Sequence, residues 1–130
     1  MTVVVGYLPT PEGSAAVDHA MAEAKLTSAR VVVVNTGHHG DFSHPDFATA
    51  QDMDTLDRQL TTAGIEHEVR HDTGSSSASE AILNAATETS ADLIVIGIRR
   101  RSPVGKLFAG STAQEVLLDA DCPVLAVKPR

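Results

Sequence analysis

Aromatic residues are scarce, at 3% of the chain with no Trp. A core must therefore rest on Val, Ile, Leu and Ala rather than on packed rings. Cysteine is scarcer still. With Cys122 alone, no intramolecular disulfide can form, and a Cys-rich metal site is excluded. Cys122 precedes Pro123 at a helix-to-strand turn and reads as a small, partly buried residue rather than a nucleophile. Positive charge is in deficit as well. Lys and Arg number 10 against 17 Asp and Glu, a net charge of -7. Nucleic acid and membrane surfaces both want a basic face, so neither is an expected partner. No apolar run approaches the ~20 residues of a membrane span. No charged n-region with an apolar h-region and cleavage site precedes the first strand pattern, so a cytoplasmic protein is expected. Gly-x-Ser-x-Gly is missing, and no sequence-local set of nucleophile, base and oxyanion donor stands in its place. The sequence therefore names no enzyme mechanism.

What is present fits one α/β domain over residues 1–130. Hydrophobic residues make up 42% of the chain, enough for a core of that size. Thr2 to Tyr7 is a Val run ended by Gly6-Tyr7, and reads as a strand. Thr10 is a credible N-cap, Pro11 suits the first helical position, and Ala16, Val17, Ala20, Met21 and Ala24 lie at helical spacing. A helix over Pro11 to Lys25 follows. Arg30 to Thr36 is a second Val-rich strand. Pro45 to Ala63 reads as a helix through Phe47, Met53, Leu56, Leu60 and Ala63, stopped by Gly64. Ile65 to His71 alternates and is charged, which suits an edge strand. Ser77-Ala78-Ser79-Glu80 has capping-box spacing and opens a third helix to about Ser90. Val124 to Val127 is the last strand. The alternation of strand and helix implies a parallel sheet with helices on both faces.

The rest is organised around Asp92 to Ala113. Leu93-Ile94-Val95-Ile96 is an unbroken branched run, the pattern of a strand buried on both faces. Gly97 ends it, and a polar loop bearing Pro and Gly follows. Gly110-Ser111-Thr112 then opens a helix with Ala113, Val116, Leu117 and Ala120 on one face. A helix start offers unpaired N–H groups and positive partial charge, and so suits an anion. Gly110 lets an anion reach the backbone, and Ser111 and Thr112 add hydroxyls. The bland alternative is a helix capped by Gly110 or Ser111.

This segment resembles the nucleotide-binding segment of universal stress proteins, Gly-x2-Gly-x9-Gly-[Ser/Thr]. Gly97 matches the first glycine, and Gly110 with Ser111 the last two positions. The resemblance runs from the first strand to the PVLAVK ending. It implies a strand order of 3-2-1-4-5 and a ligand at the switch between the first and fourth strands. It implies ATP or a related adenine nucleotide (ADP or AMP) as ligand and a stress-response regulatory role. Two positions depart from the pattern. Arg100 replaces the second glycine, adding bulk that can block the site and a guanidinium that can grip phosphate. Leu8 stands where nucleotide-binding relatives usually carry Asp after the first strand, so a carboxylate contact is lost. Thr36 falls where the family's backbone pairs with adenine. A ligand-free dimeric interaction protein is therefore the alternative, and a slow ATP hydrolase a more distant one.

Three further patterns point to no site. Gly105-Lys106 lacks the spacing of a Walker A loop, and Leu107 sits where Ser or Thr would meet Mg²⁺. His38, His39, Asp41, His44 and Asp46 share one loop with no spacing that fixes a metal geometry, so no metal site is expected. His67 and His71 lack a third ligand nearby in sequence. Val124, Leu125, Ala126 and Val127 are apolar throughout, so both faces of that strand should be covered. In the implied order this strand is an edge, and pairing with a copy of itself makes a homodimer.

Overall fold

The computed structural model describes residues 1–36, 50–71, 77–101, 106–108 and 110–129, with backbone alone at 71, 99–101, 106–108, 110 and 111. The elements are β1 (Thr2–Tyr7), α1 (Pro11–Thr27), β2 (Arg30–Asn35), α2 (Ala50–Thr62), β3 (His67–His71), α3 (Ala78–Thr89), β4 (Leu93–Gly97), β5 (Arg99–Arg101), β6 (Lys106–Phe108), α4 (Gly110–Asp119) and β7 (Val124–Val127). Five strands form one parallel sheet in the order β3-β2-β1-β4-β7. This is the expected 3-2-1-4-5 arrangement, with β7 as its fifth strand.

The pleat divides the core between two faces. Val3, Val5, Val31, Val33 and Val95 point to one face, where Ala16, Val17, Ala20 and Ala24 of α1 and Met53, Leu56 and Leu60 of α2 cover them. Val4, Val32, Val34, Ile94 and Ile96 point to the other, against Ala81, Ile82 and Ala85 of α3 and Ala113 and Val116 of α4. A strand covered on both sides needs no polar alternation, which is why the Val runs are continuous. Small Ala faces on α1 and α3 let each helix lie close to the branched side chains beneath.

Capping follows the residue types. Thr10 accepts from Gly13 N at 3.2 Å with Pro11 next in line, and Ser77 accepts from Glu80 N at 3.2 Å. At the end of α2, Gly64 takes φ +73 and donates to Thr61 O, while Ile65 N donates to Leu60 O. That pair of bonds is a Schellman motif, with Ile65 and Leu60 in the same core cluster. It explains why β3 starts at His67 rather than Ile65: Ile65 still belongs to the helix stop.

The edge strand β3 is charged on its α3 side. Arg30 meets Glu68 at 2.6 Å, Arg70 bonds the same carboxylate, and Arg70 reaches Glu88 of α3 at 2.7 Å. Arg70 first, and then Arg30, hold the Glu68 carboxyl below its ordinary range against the opposing effect of burial.

Three expectations are corrected. The segment after Gly97 is not a plain loop. β5 and β6 pair antiparallel with Arg99 opposite Phe108, Arg100 opposite Leu107 and Arg101 opposite Lys106. Residues 102–105, which join the two strands in sequence, lie outside the described residues. Leu117 is not on the packed face of α4. It is 48% exposed, and Ala113 and Val116 alone of the expected stripe are fully buried. Finally, β7 is not covered throughout. Val127 is buried, but Leu125 and Ala126 are exposed, because β7 pairs with β4 and ends the sheet. The His38–Asp46 cluster and the expected start of α2 at Pro45 lie outside the described residues. No helix among the described residues is long and apolar enough to cross a membrane.

Candidate functional site

The sheet has one topological switch. From β1 the chain crosses by α1 to β2 and then moves outward to β3. It returns through α3 to β4 on the other side of β1, and moves outward again to β7. The connections therefore diverge between β1 and β4, the place where open α/β sheets carry a crevice at the carboxyl ends of their strands. Each candidate ligand residue emerges there. Leu8 follows β1, Thr36 follows β2, Gly97 ends β4, Arg100 is in β5, and Gly110, Ser111 and Thr112 form the first turn of α4.

Close backbone contacts tie Leu8 and Gly97 to the start of α1, and hydrogen bonds tie Thr36 to the end of β1. Thr36 donates to Tyr7 O twice, from its N–H at 2.9 Å and from its hydroxyl at 3.1 Å. Its backbone donor is thus committed to the sheet. Leu8 is half-buried and its carbonyl accepts from Thr10 N at 2.8 Å. Leu8 also packs on Gly13: a Cβ placed at Gly13 would lie 1.9 Å from Leu8 O. A Cβ at Gly97 would lie 2.1 Å from Glu12 O. The end of β4, the turn after β1 and the first turn of α1 therefore touch backbone to backbone. Gly97 is needed for that packing before any ligand is considered.

Gly13 was not singled out by its sequence pattern. A signal for it exists. Gly inside a helix costs about 1 kcal/mol relative to Ala, so a glycine two positions after Pro11 marks a steric demand. The Ser79 contact to Glu115 described below was also invisible, since it joins residues 36 apart.

The electrostatics of the crevice come from its helix starts. The α1 start is capped by Thr10. The α4 start carries the Gly-Ser-Thr sequence, with Thr112 half-buried and Ala113 anchored in the core beside Ile94 and Ile96. First-turn N–H groups and the positive helix end make that turn able to receive an anion. Tyr7, buried at the end of β1, has its phenol pushed up by burial first and by the Asp52 charge second.

Other candidate chemistry lies elsewhere. No group of three His, Cys, Asp or Glu able to hold a metal is found among the described residues. Cys122 sits before β7, at the end of the sheet away from the crevice. Burial, then Asp121 and Asp92, push its thiol up, toward the protonated form. His67 bonds Ile65 O through Nδ1 at 2.8 Å and Asp57 through Nε2 at 2.6 Å, on the outer side of the sheet.

The chain was compared with known proteins. Residues 1–128 match the model of the universal stress protein family. A universal stress protein of Mycolicibacterium smegmatis is 41% identical over 127 residues, covering 98% of this chain and 97% of that protein. Among solved structures, a universal stress protein of Archaeoglobus fulgidus superposes with a TM-score of 0.72 at 31% identity, covering 98% of both chains. A second from Archaeoglobus fulgidus, solved in complex with dAMP, gives a TM-score of 0.67 at 26% identity over 98% of both chains. With the sheet order and the match along nearly the full length in agreement, the chain belongs to the universal stress protein family.

Proposed function

We propose that this protein is a cytoplasmic stress-response module that binds an adenine nucleotide (ATP, ADP or AMP) in the crevice at the β1–β4 switch. One observation carries the reading: a helix start with the sequence Gly110-Ser111-Thr112 opens at the carboxyl end of the switch. A family structure with dAMP bound supports it. In this reading the phosphate rests on the first-turn N–H groups of α4, close to Gly110, with the Ser111 and Thr112 hydroxyls beside it. Gly97 keeps the floor of the crevice at backbone height. Thr36 meets the base through its carbonyl, because its N–H is committed to Tyr7 O. Leu8 contributes main chain and apolar contact but no carboxylate. Arg100 supplies a guanidinium to phosphate.

The exposed flank of β7 favours an accompanying homodimer. Val124 and Val127 are at least half-buried, whereas Leu125 is 37% exposed and Ala126 is exposed on an unpaired sheet edge. A two-fold pairing of β7 with its copy covers both and closes the edge. The same surface would serve a ligand-free interaction protein, so the ligand test separates the two. Calorimetry and thermal melts with AMP, ADP and ATP should give binding heat and a raised Tm. At 100 times Kd the added stability is about 2.7 kcal/mol. No heat and no shift at millimolar nucleotide would overturn the nucleotide reading and leave the interaction protein.

A further inference from the structure

Ser79 is a polar residue at 2% exposure in the first turn of α3. Its hydroxyl donates to a carboxylate oxygen of Glu115 on α4. Ser79 Oγ also lies 3.0 Å from Oγ of Ser77, the N-cap of α3. A carboxylate on α4 is thus joined through two serines to the capped start of the neighbouring helix.

Helix α4 needs such a tie. It is 10 residues long, and its buried side chains among those described are Ala113 and Val116. Two small apolar side chains resist separation from the sheet, but they do little to stop sliding along the helix axis. A hydrogen bond to an ionised group is short and directional, and so fixes that coordinate. Glu115 follows Gly110 by five residues, which places the bond about 7.5 Å along the axis from the helix start. Charge alone gives no reason for an acid here. A carboxylate on this helix opposes an anion at its N-terminus.

We infer that Ser79 and Glu115 are positioning residues for the phosphate of the bound nucleotide: their bond sets the height of the α4 N-terminus at the crevice. The inference rests on the nucleotide reading above. Its consequence is specific to phosphate. Shifting α4 along its axis moves the first-turn N–H groups away from the phosphate but leaves the β1 and β2 ends, where the nucleoside lies, unchanged.

The test is the ratio of adenosine Kd to AMP Kd, by calorimetry, in wild type, Ser79→Ala, Glu115→Ala and Glu115→Gln. Glu115 is exposed, so its variants retain the core, and circular dichroism verifies this. Ser79→Ala and Glu115→Ala should lower the ratio by about tenfold or more, the usual worth of a hydrogen bond to a charged group, here the phosphate. Adenosine Kd should stay the same. Glu115→Gln keeps an acceptor oxygen and should restore the wild-type ratio. Because Gln and Ala both remove the charge, only the hydrogen bond separates them. A wild-type ratio in both alanine variants, or a Gln variant as impaired as Ala, overturns the inference alone. Wild type that binds neither ligand overturns the nucleotide reading and this inference with it.

Discussion

Gly13→Ala separates two opposed physical effects, and the sign of the result decides between them. By helix propensity alone, Ala inside α1 should stabilise the protein by about 0.8–1 kcal/mol. By packing it should do the reverse. The new Cβ would sit 1.9 Å from Leu8 O and 2.8 Å from Leu8 C, where contacts under 3.0 Å are essentially never found. The obstacle is backbone, which cannot rotate away as a side chain does. The turn after β1 must therefore move by at least 1.1 Å, the gap between 1.9 and 3.0 Å. That movement is opposed by the Thr10 N–H bond to Leu8 O and the Thr10 cap on Gly13 N. Overpacking of this kind costs roughly 1–3 kcal/mol. The net expectation is a loss of up to about 2 kcal/mol after the propensity gain is subtracted.

Gly97→Ala gives a second collision with backbone, Glu12 O at 2.1 Å, and a smaller propensity gain because Gly97 ends its strand. It should lose roughly 1–3 kcal/mol. For a domain of this size each kcal/mol is about 3–6 °C in Tm. Gly6→Ala is the control. Its nearest obstacle is the Cδ1 end of Ile82 at 2.8 Å, a flexible tip that can give way, so its cost should be smaller than that of Gly97→Ala. Urea unfolding at constant m-value measures all three. A Gly13→Ala variant more stable than wild type would refute the backbone packing at the start of α1.

Three other outcomes are expected. Burial pulls the His67 imidazolium down, but its bonds to Ile65 O and Asp57 and the Asp57 charge outweigh this and raise its pKa above 6.5. The pair's contribution is therefore complete below pH 6.5 and is lost as pH rises through the higher folded value; a His67→Gln variant should lose about 0.2–1 kcal/mol at pH 5.5 and less at pH 8.5, and an equal loss at both would refute the charged pair. Leu125→Lys should weaken the proposed β7 dimer without changing the sheet, and a wild-type light-scattering mass near 13.6 kDa at tens of micromolar would rule that dimer out. Arg100→Ala should weaken ATP binding by about 1–3 kcal/mol, whereas tighter binding in Arg100→Gly would mean that the side chain blocks the crevice.

The fold was legible because its strands are covered on both faces. Continuous Val runs and the Leu93–Ile96 run have few readings other than central parallel strands, and Thr10, Pro11, Gly64 and Ser77 punctuate them. The strand order came from the family resemblance, since alternation alone fixes direction but not order. What escaped was local pairing and long-range contact. The arginines of β5 gave no alternation to mark a strand, and a three-residue hairpin arm has too few positions to show one. Leu117 fell on a helical stripe, yet α4 lies beside α3 and over β7, the last strand of the sheet, where its outer flank meets no further strand among the described residues. Gly97 was legible as a glycine after a buried strand, but its reason, the carbonyl of Glu12, is 85 residues away in sequence.

That reason changes what the glycine pattern can say about function. A residue required by the approach of α1 to β4 is required whether or not a nucleotide binds. Gly97 therefore fits the proposed nucleotide binder and the ligand-free interaction protein equally well. The distinguishing weight falls on the α4 start and on the two departures. Leu8 has a backbone pinned by Gly13 and an apolar side chain, so it cannot supply the carboxylate that would help hold a metal–triphosphate complex. Each phosphate added to a nucleotide brings more negative charge to a chain that already carries -7. Against that charge stand the α4 helix end and, two residues after β4 in sequence, β5 with its Arg99–Arg101 run. A single phosphate asks only for the helix end. If the arginines take no part, AMP should compete on equal terms with ATP. A clear preference for ATP would instead locate the arginines of β5 at the outer phosphates and make the departure at Arg100 a gain of contact.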